Sequence, residues 1–201
     1  MPTDPPPKSE ITVVIPTLNE AEAIGAVIEE LKSYGFERII VVDGRSTDGT
    51  PEIAASKGAT VVTQRGKGKA DAIRTALDYV ETPYMLVMDG DLTYDPAHIE
   101  KMLELAPLHD EVIGARVTGR ENIPLVNRFG NWLLTKLFNV LFGTGLRDVC
   151  SGMYVLKTEV AREIRFESKG FSVEVEFAAH VASTTGRITE VDINYRPRVG
   201  K

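Results

Sequence analysis

The stretch from Tyr84 to Asp91 joins an apolar segment to two carboxylates. Residues 84–88 are largely apolar, which is typical of a buried strand, and Asp89, Gly90 and Asp91 follow directly. Alternation along an extended backbone would direct Asp89 and Asp91 to the same side. Two hard oxygen donors with no softer ligand nearby suit Mg²⁺ or Mn²⁺, and Gly90 is expected to keep the space between them open for a ligand. The alternative is a simple turn in which Asp91 caps the next segment.

Composition limits the class of protein to which this chain can belong. With 201 residues, of which 43% are apolar and 26% charged, it can bury a substantial core as one compact domain. The net charge of −6 argues against a nucleic-acid partner. The single cysteine, Cys150, excludes an internal disulfide and fits a reducing compartment, where it is expected to be a small buried residue. No apolar run reaches the roughly eighteen residues of a membrane-spanning helix, so a membrane contact would be peripheral.

The two ends of the chain differ in character from its middle. Residues 1–9 are rich in proline and polar side chains, and we expect them to form a disordered lead-in with no secretory leader. Residues 10–201 are expected to form one domain. The chain ends at Lys201 without a visible stop signal, which leaves open whether further elements follow.

Strand-like and helix-like patterns alternate through the first half of the chain. This alternation predicts an α/β fold with a mostly parallel sheet, helices on both faces and right-handed crossovers. The predicted strands are residues 11–15, 38–42, 59–63, 84–88 and 111–115. In such sheets ligands bind beyond the carboxyl ends of the strands. Four polar loops are therefore expected to meet at one edge: residues 16–20, 43–48, 65–71 and 89–91.

Each of these loops has chemistry available for a nucleotide. Asp43 is placed to accept hydrogen bonds from a base or ribose, or is simply a turn residue. Glu20 either binds ribose hydroxyls or favours a helix N-terminus. The run Gly66–Lys69 offers positive charge to phosphates, although it lacks the spacing of a P-loop, and a solvated lysine loop is the alternative. Asp71 either orients a base or caps its own helix.

The second half of the chain combines positive charge with a large apolar helix. Between residues 116 and 147, five basic residues stand against Glu121 alone: Arg116, Arg120, Arg128, Lys136 and Arg147. A basic patch beside apolar surface is how peripheral proteins meet anionic lipid. Residues 127–142 predict a helix with a broad apolar face that includes Trp132. Core packing would explain that face, but its many large apolar side chains favour partial exposure to a membrane or a partner subunit.

Five segments of the sequence form an ordered set: residues 16–20 (Pro-Thr-Leu-Asn-Glu), 43–50 (Asp-Gly-Arg-Ser-Thr-Asp-Gly-Thr), 66–70 (Gly-Lys-Gly-Lys-Ala), 89–91 (Asp-Gly-Asp) and 148–153 (Asp-Val-Cys-Ser-Gly-Met). This set closely resembles the family-2 glycosyltransferases with the GT-A fold, and among them most closely the dolichyl-phosphate mannose and glucose synthases. The resemblance covers nearly the whole chain from Ile11. It implies that residues 10–201 form one GT-A catalytic domain, a three-layer α/β/α arrangement around a Rossmann-like, mostly parallel sheet.

The resemblance also implies an inverting transfer from a nucleotide sugar with Mn²⁺ or Mg²⁺ held by Asp89 and Asp91. The donor would then contact Pro16, Thr17, Leu18, Glu20, Val42, Asp43, Lys69, Asp71, Asp89, Gly90, Asp91 and Arg196. Thr93 stands where many relatives place a further metal ligand, often glutamine, so its shorter side chain leaves open whether Thr93 or water completes the metal shell. Gly44 and Arg45 follow Asp43 where many relatives have another acidic residue, which leaves the base preference open.

For the acceptor, the resemblance implies that Arg116, Arg128 and Arg198 bind a phosphate, while Arg196, Arg198 and Lys201 belong to a loop that closes over the donor. Asp91, Arg116 and Asp148 are the catalytic candidates. The phosphate oxygen of a polyprenyl phosphate is already an anion near neutral pH and requires no strong base. A saccharide hydroxyl would require one, and Asp148 would be the candidate. Glu174 and Glu176 either position groups near the site or reflect the acidity of a helix start.

The function predicted in this way is transfer of a hexose, mannose from GDP before glucose from UDP, to a polyprenyl (dolichyl) phosphate. We expect a cytoplasmic protein bound peripherally at the inner face of the membrane, with the oligomeric state open. A nucleotidyltransferase would normally show a glycine-rich signature directly after the first strand, where this chain has residues 16–20. A non-catalytic sugar-nucleotide-binding protein would keep the fold without activity. The three histidines, His98, His109 and His180, are scattered, which argues against a zinc site.

Overall fold

The computed structural model describes residues 4–164 and 173–200. Seven strands form one sheet: β1 (Ile11–Thr17), β2 (Ile39–Asp43), β3 (Thr60–Thr63), β4 (Tyr84–Val87), β5 (Glu111–Thr118), β6 (Tyr154–Lys157) and β7 (Ile188–Asn194). Seven α-helices lie in the described ranges: α1 (Ile24–Ser33), α2 (Thr50–Ser56), α3 (Lys69–Ala76), α4 (Ile99–Leu105), α5 (Leu125–Phe142), α6 (Thr158–Glu163) and α7 (Val173–Thr184).

The order of strands across the sheet is β3-β2-β1-β4-β6-β5-β7. Strands β1 to β4 pair in parallel, and β5 pairs in parallel with β7. Only β6 is antiparallel to its neighbours β4 and β5, between which it is inserted. The mostly parallel sheet and its five predicted strands are confirmed. The two strands of the second half, β6 and β7, were not predicted.

Apolar residues of the strands alternate between two layers of core. Val13 and Ile15 of β1 pack with α1, α2 and α4, whereas Val14 between them packs with α3, α5, α6 and α7. Because both faces of the sheet are covered by helices, the strands can be almost continuously apolar. The three-layer α/β/α architecture predicted from the alternation is therefore confirmed.

The start of the described chain packs against this core. Residues Lys8–Glu10 form one turn of 3-10 helix, in which Lys8 makes an ion pair with Glu100 and lies 5.5 Å from the centre of the Phe36 ring. These contacts fall within the stretch predicted to be a disordered lead-in. The division of the chain into that lead-in and one domain stays a prediction.

Helix α5 is long, and most of its large apolar side chains face outward. Buried positions on it are restricted to Asn131, Thr135 and Phe138, while Val126 and Val140 are 83% and 82% exposed. The predicted partial exposure of this helix is therefore present in the structure. In the part of the chain that the structure describes, no helix combines the length and the apolar character needed to cross a bilayer.

Candidate active site

The loops that follow β1 and β2 are locked to each other by backbone-to-side-chain hydrogen bonds. The Asn19 N–H donates to Ser46 Oγ at 2.8 Å, and Asn19 Oδ1 accepts from the Thr47 N–H at 2.9 Å. The N–H of Glu20 donates to Thr50 Oγ1 at 2.9 Å. Asn19 and Arg45 both have positive φ values, 57° and 66°, an uncommon conformation that the crossed hydrogen bonds hold in place. These contacts fix Glu20 at the carboxyl end of the sheet.

Asp43, at the end of β2, is engaged within its own loop. Its Oδ1 accepts from Ser46 Oγ at 2.5 Å and its Oδ2 accepts from the Ser46 N–H at 2.9 Å. Both oxygens of this buried carboxylate therefore have partners in the turn. These contacts show the turn role of Asp43, and its contact with a base stays a prediction.

Asp71 is likewise used inside its loop, because its Oδ2 accepts from the Gly66 N–H at 2.5 Å. This contact differs from both interpretations offered for Asp71, a base contact and a helix cap, since it ties the loop of residues 65–71 to the first turn of α3. The remaining donor candidates from β1 and β2 differ in exposure. Leu18 is exposed, Pro16 is half-buried, and Thr17 and Val42 are buried.

Strand β4 ends at Val87, so Asp89 and Asp91 belong to the loop that follows it. Asp91 is buried, and its Oδ1 accepts from Thr93 Oγ1 at 2.6 Å and from the Thr93 N–H at 3.2 Å. Leu92 between them has a φ of 64°, which a leucine adopts only under the constraint of its surroundings. Thr93 thus supports Asp91 rather than presenting its own hydroxyl to a metal.

Close packing on β1 requires a glycine at position 90. A Cβ built at this position would lie 2.9 Å from Thr17 Cγ2 and 3.2 Å from Ile15 Cγ2. The absence of a side chain therefore lets the loop pack directly on β1. The open space expected between the two carboxylates stays a prediction.

Glu20 joins the two aspartates to form a group of three carboxylates. Burial raises the pKa of Glu20 to about 7, with Arg198 opposing this effect and the charges of Asp91 and Asp89 adding to it. Arg198 makes an ion pair with Glu20 Oε1 and lies 3.4 Å from Asp91 Oδ2. Glu20 Oε2 is buried and has no hydrogen-bond partner in the described residues. A buried acceptor without a donor is a position that a cation or a ligand hydroxyl would satisfy.

Asp89 contacts a lysine of α3, the helix that precedes it in the chain. Lys69 Nζ lies 2.6 Å from Asp89 Oδ1 and 2.6 Å from Glu174 Oε1. Burial works against the charged lysine, but Asp89 and Glu174 outweigh it and raise the pKa of Lys69 well above its ordinary value. The phosphate-binding candidate Lys69 is therefore directed at the Asp89 carboxylate instead of standing in solvent.

Residues 195–200 run over the loop of Asp91 as a segment that we call the C-terminal strap. The Arg196 N–H donates to the Thr93 carbonyl at 2.8 Å, and the Val199 N–H donates to the Asp91 carbonyl at 3.1 Å. The Arg196 guanidinium pairs with Glu30 and Asp95 at 2.9 and 2.7 Å, so it points away from the carboxylate group. Arg198 is the strap residue that reaches this group. Lys201 lies outside the described residues.

Arg116 and Asp148 form a buried bidentate ion pair. The Nε and Nη2 atoms of Arg116 donate to Asp148 Oδ2 and Oδ1 at 2.6 and 2.9 Å, and Nη2 also donates to the Cys150 carbonyl at 3.0 Å. Burial opposes the charge on Arg116, but the hydrogen bonds to Asp148 outweigh it and raise the guanidinium pKa. Because both carboxylate oxygens of Asp148 are occupied by this cation, the arrangement argues against Asp148 as a general base.

The basic patch of the second half is smaller than the sequence indicated. Arg116 is neutralised by Asp148, and Arg147 pairs with both Glu190 and Asp192. The other members of the patch are Arg120, Arg128 and Lys136, and the last two lie on α5. Arg128 is half-buried in the first turn of that helix. A positive surface beside the apolar face of α5 therefore remains, but it is built from three residues instead of five.

Sequence reasoning missed two tyrosines of the site. The buried Tyr94 Oη accepts from the Gly152 N–H at 2.7 Å, and burial raises the Tyr94 pKa. The Tyr195 ring lies 5.3 Å from the Arg116 guanidinium carbon and packs edge-to-face on Tyr94. The two residues are about a hundred positions apart, so no local pattern could have linked them.

The carboxylate group fits a divalent cation of the Mg²⁺ or Mn²⁺ type. Its donors are hard oxygens, and Glu20 Oε2 has no partner among the described residues. Across residues 4–164 and 173–200, no group of three or more His, Cys, Asp or Glu side chains is placed so that it could hold a metal ion by itself. Mg²⁺ sites of this kind usually use one or two carboxylates and take their other ligands from water and substrate phosphates. Asp89 and Asp91 can supply that number.

Comparisons with known proteins identify relatives of this chain. The family model described as glycosyl transferase family 2 matches residues 12–165. The chain is 38% identical to glycosyltransferase AglJ of Haloferax volcanii over 197 residues, which cover 96% of this chain and 65% of AglJ. It is 34% identical to a dolichyl-phosphate hexose transferase of the same organism, covering 96% of this chain and 85% of that protein. The chain thus spans slightly less than two thirds of AglJ.

A solved structure shares the fold. Glucosyl-3-phosphoglycerate synthase from Mycobacterium tuberculosis, in complex with Mn²⁺, UDP-glucose and phosphoglyceric acid, superposes with a TM-score of 0.79 at 25% sequence identity. The match covers 95% of this chain and 72% of that chain. The family match, the relatives and the sheet topology together show that the chain belongs to glycosyl transferase family 2 and has the GT-A fold.

Proposed function

We propose that this protein transfers a hexose from a nucleotide sugar to a polyprenyl phosphate, with inversion at the anomeric carbon and with Mn²⁺ or Mg²⁺ at Asp89 and Asp91. The observation that carries the proposal is the group of three carboxylates at the carboxyl end of the sheet, in which Glu20 Oε2 is buried without a partner. The solved Mycobacterium tuberculosis synthase, which was crystallised with Mn²⁺ and UDP-glucose, supports the metal and the class of donor.

The donor would lie over the loops after β1 and β4. Glu20 and Asp91 face this position together with Arg198, whose guanidinium can interact with diphosphate oxygens through its planar fork. A bound divalent cation would offset the negative charge that develops on the departing nucleoside diphosphate. We propose GDP-mannose as the preferred donor and UDP-glucose as the next candidate. Asp43 and Asp71 would shape the base pocket from behind, since both oxygens of Asp43 and one oxygen of Asp71 accept hydrogen bonds within their loops.

The assignment of the acceptor depends on the ion pair that Asp148 makes with Arg116. A phosphate oxygen of the acceptor would attack the anomeric carbon as its bond to the nucleoside diphosphate breaks, and no base has to remove a proton. The bidentate pairing of Asp148 with Arg116 supports this route, because both oxygens of the carboxylate already accept hydrogen bonds from the guanidinium. The dolichyl-phosphate hexose transferase among the relatives supports the same acceptor class. A saccharide hydroxyl as acceptor is correspondingly disfavoured.

The apolar face of α5 supports a membrane surface as the place of reaction. Phe129, Trp132 and Leu137 are at least half exposed on this face, and Arg128 and Lys136 lie on the same helix. An amphipathic helix of this kind binds the interface through apolar burial and through attraction to anionic lipid. A lipid-phosphate acceptor would reach the site from that surface.

The donor site is tested by thermal unfolding with GDP, UDP and their sugars, each with and without Mn²⁺. At a hundredfold excess over Kd, the binding partner should stabilise the protein by about 2.7 kcal/mol, which corresponds to a rise in Tm of roughly 5–10 °C for a chain of this size. Asp91→Asn should abolish the Mn²⁺-dependent part of the shift. Glu104→Gln, an exposed carboxylate on α4, is the matched control and should keep it. An unchanged shift in Asp91→Asn would remove Asp91 from the site.

The acceptor is tested with the donor that gives the largest shift. Transfer is measured to polyprenyl phosphate in vesicles that contain phosphatidylglycerol, to the same lipid in detergent, and to free saccharides. We expect transfer to the lipid phosphate alone. Trp132 is the single tryptophan of the chain, so its fluorescence should shift to the blue when such vesicles are added. Transfer to a saccharide and not to the lipid would contradict the proposed acceptor, and binding without any transfer would indicate a non-catalytic sugar-nucleotide-binding protein.

A further inference from the structure

Glu174 is a buried acid that has no assigned role in the proposed reaction. It lies in the first turn of α7, and its Oε1 is 2.6 Å from Lys69 Nζ. The same ammonium is 2.6 Å from Asp89 Oδ1. Lys69 therefore bridges two carboxylates, one on the loop that carries the metal-binding candidates and one on a helix more than eighty residues later in the chain.

The bridge is enclosed on the side of the loop that contains Gly152. The side chain of Lys69 is 24% exposed and that of Glu174 is 10% exposed. A Cβ at Gly152 would lie 3.0 Å from Lys69 Nζ and closer still to Asp89 Oδ2. The Gly152 backbone is held by its hydrogen bond to Tyr94 Oη. The three charged groups consequently have little freedom to exchange partners.

The charges of this bridge matter for any cation at Asp89. A lysine paired with Asp89 alone would neutralise that carboxylate and oppose the approach of a second positive charge. Glu174 supplies Lys69 with a second negative partner, so that the three groups together keep a net charge of −1. Groups that hold and tune a metal ligand from behind commonly change metal affinity by about 10–100-fold when they are altered.

We propose that Glu174 is a positioning residue of the donor site. It shares the Lys69 ammonium with Asp89 and so leaves Asp89 able to bind a divalent cation. This inference rests on the proposed function. Glu174 does not touch the cation or the sugar in this arrangement. It acts through Lys69. The bridge therefore makes α7 part of the metal site.

The test is a double-mutant cycle on the Kd for Mn²⁺, measured from the EPR signal of free Mn²⁺ with the whole protein and without substrate turnover. Glu174→Gln should raise the Kd about tenfold or more, because Lys69 is then left to Asp89 alone. In the Lys69→Met background the same change should have little effect. Glu174→Asp retains the charge and should restore most of the affinity. The matched control is Glu159→Gln, an exposed acid in the first turn of α6, which should bind like the wild type.

The outcomes separate this inference from the function on which it rests. If the wild type binds Mn²⁺ and Glu174→Gln binds it equally well, or if the loss is the same with and without Lys69, the positioning role of Glu174 is overturned and the proposed function stands. If the wild type does not bind Mn²⁺ with or without nucleotide, both are overturned. Circular dichroism establishes that each variant is folded. If Lys69→Met fails to fold, the comparison of Glu174→Gln with Glu174→Asp decides, and equal losses in the two would refute the role of its charge.

Discussion

The substitution Asp148→Asn distinguishes a structural ion pair from a catalytic base. In the folded protein, the side chains of Arg116 and Asp148 are only 7% and 5% exposed and share two hydrogen bonds, and the Arg116 N–H adds a third contact to Asp148 at 3.2 Å. Asparagine keeps one acceptor oxygen and loses the charge, so that Arg116 becomes a buried cation without a counter-ion.

Removing one partner of a buried pair costs about 3–5 kcal/mol, and the retained oxygen of asparagine places this change at the lower end, about 3 kcal/mol. For a protein of this size that loss lowers Tm by roughly 6–12 °C. The assay is urea unfolding monitored by circular dichroism. Equal slopes m for the variant and the wild type would confirm that both unfold in the same kind of transition. Asp192→Asn is the matched control, because Asp192 pairs with Arg147 at the surface and is 51% exposed. It should cost less than about 1 kcal/mol.

The two interpretations of Asp148 give opposite results. A structural counter-ion predicts a large loss of stability, together with transfer activity at low temperature that is limited by the amount of folded protein. A catalytic base predicts stability close to that of the wild type and loss of transfer to a hydroxyl acceptor. An unfolding midpoint of Asp148→Asn that matches the Asp192→Asn control would refute the ion-pair reasoning.

Two further predictions concern stability. Gly90→Ala should cost about 1–3 kcal/mol in urea unfolding because its Cβ would meet the side chains of Ile15 and Thr17, whereas Gly130→Ala, with open space around it in α5, should gain about 0.5–1 kcal/mol; equal effects of the two changes would contradict the packing argument. Asp110 is buried, which by itself would raise its pKa, but hydrogen bonds from Lys157, Thr185 and Arg187 outweigh burial and lower the Asp110 pKa. Its folded pKa thus lies below the unfolded value of 3.8, so its contribution to stability is present above about pH 4 and is lost as the pH falls further. Asp110→Asn should reduce the decrease of the unfolding midpoint at acid pH. An unchanged decrease would contradict the assignment of this effect to Asp110.

Local patterns in the sequence predict the alternation of strands and helices in the first half and the grouping of its polar loops at one sheet edge. Both follow from local patterns, since apolar periodicity and the position of a loop after a strand are encoded within about ten residues. The pair Asp89 and Asp91 and the exposed helix α5 were predicted on the same basis. The family resemblance was carried by the same short segments.

Which of these groups remain available for chemistry depends on contacts between distant parts of the chain. The pairs Arg116–Asp148 and Lys69–Glu174 join residues far apart in the chain, and β6 enters the sheet between β4 and β5 against the direction of both. Such contacts depend on how distant elements pack, and no local pattern records the partner. The packing gives Asp148 a counter-ion, places Gly90 directly against β1 and leaves Glu20 with an unpaired oxygen, because burial in a dense interior fixes which charges are satisfied by protein and which are left for a ligand.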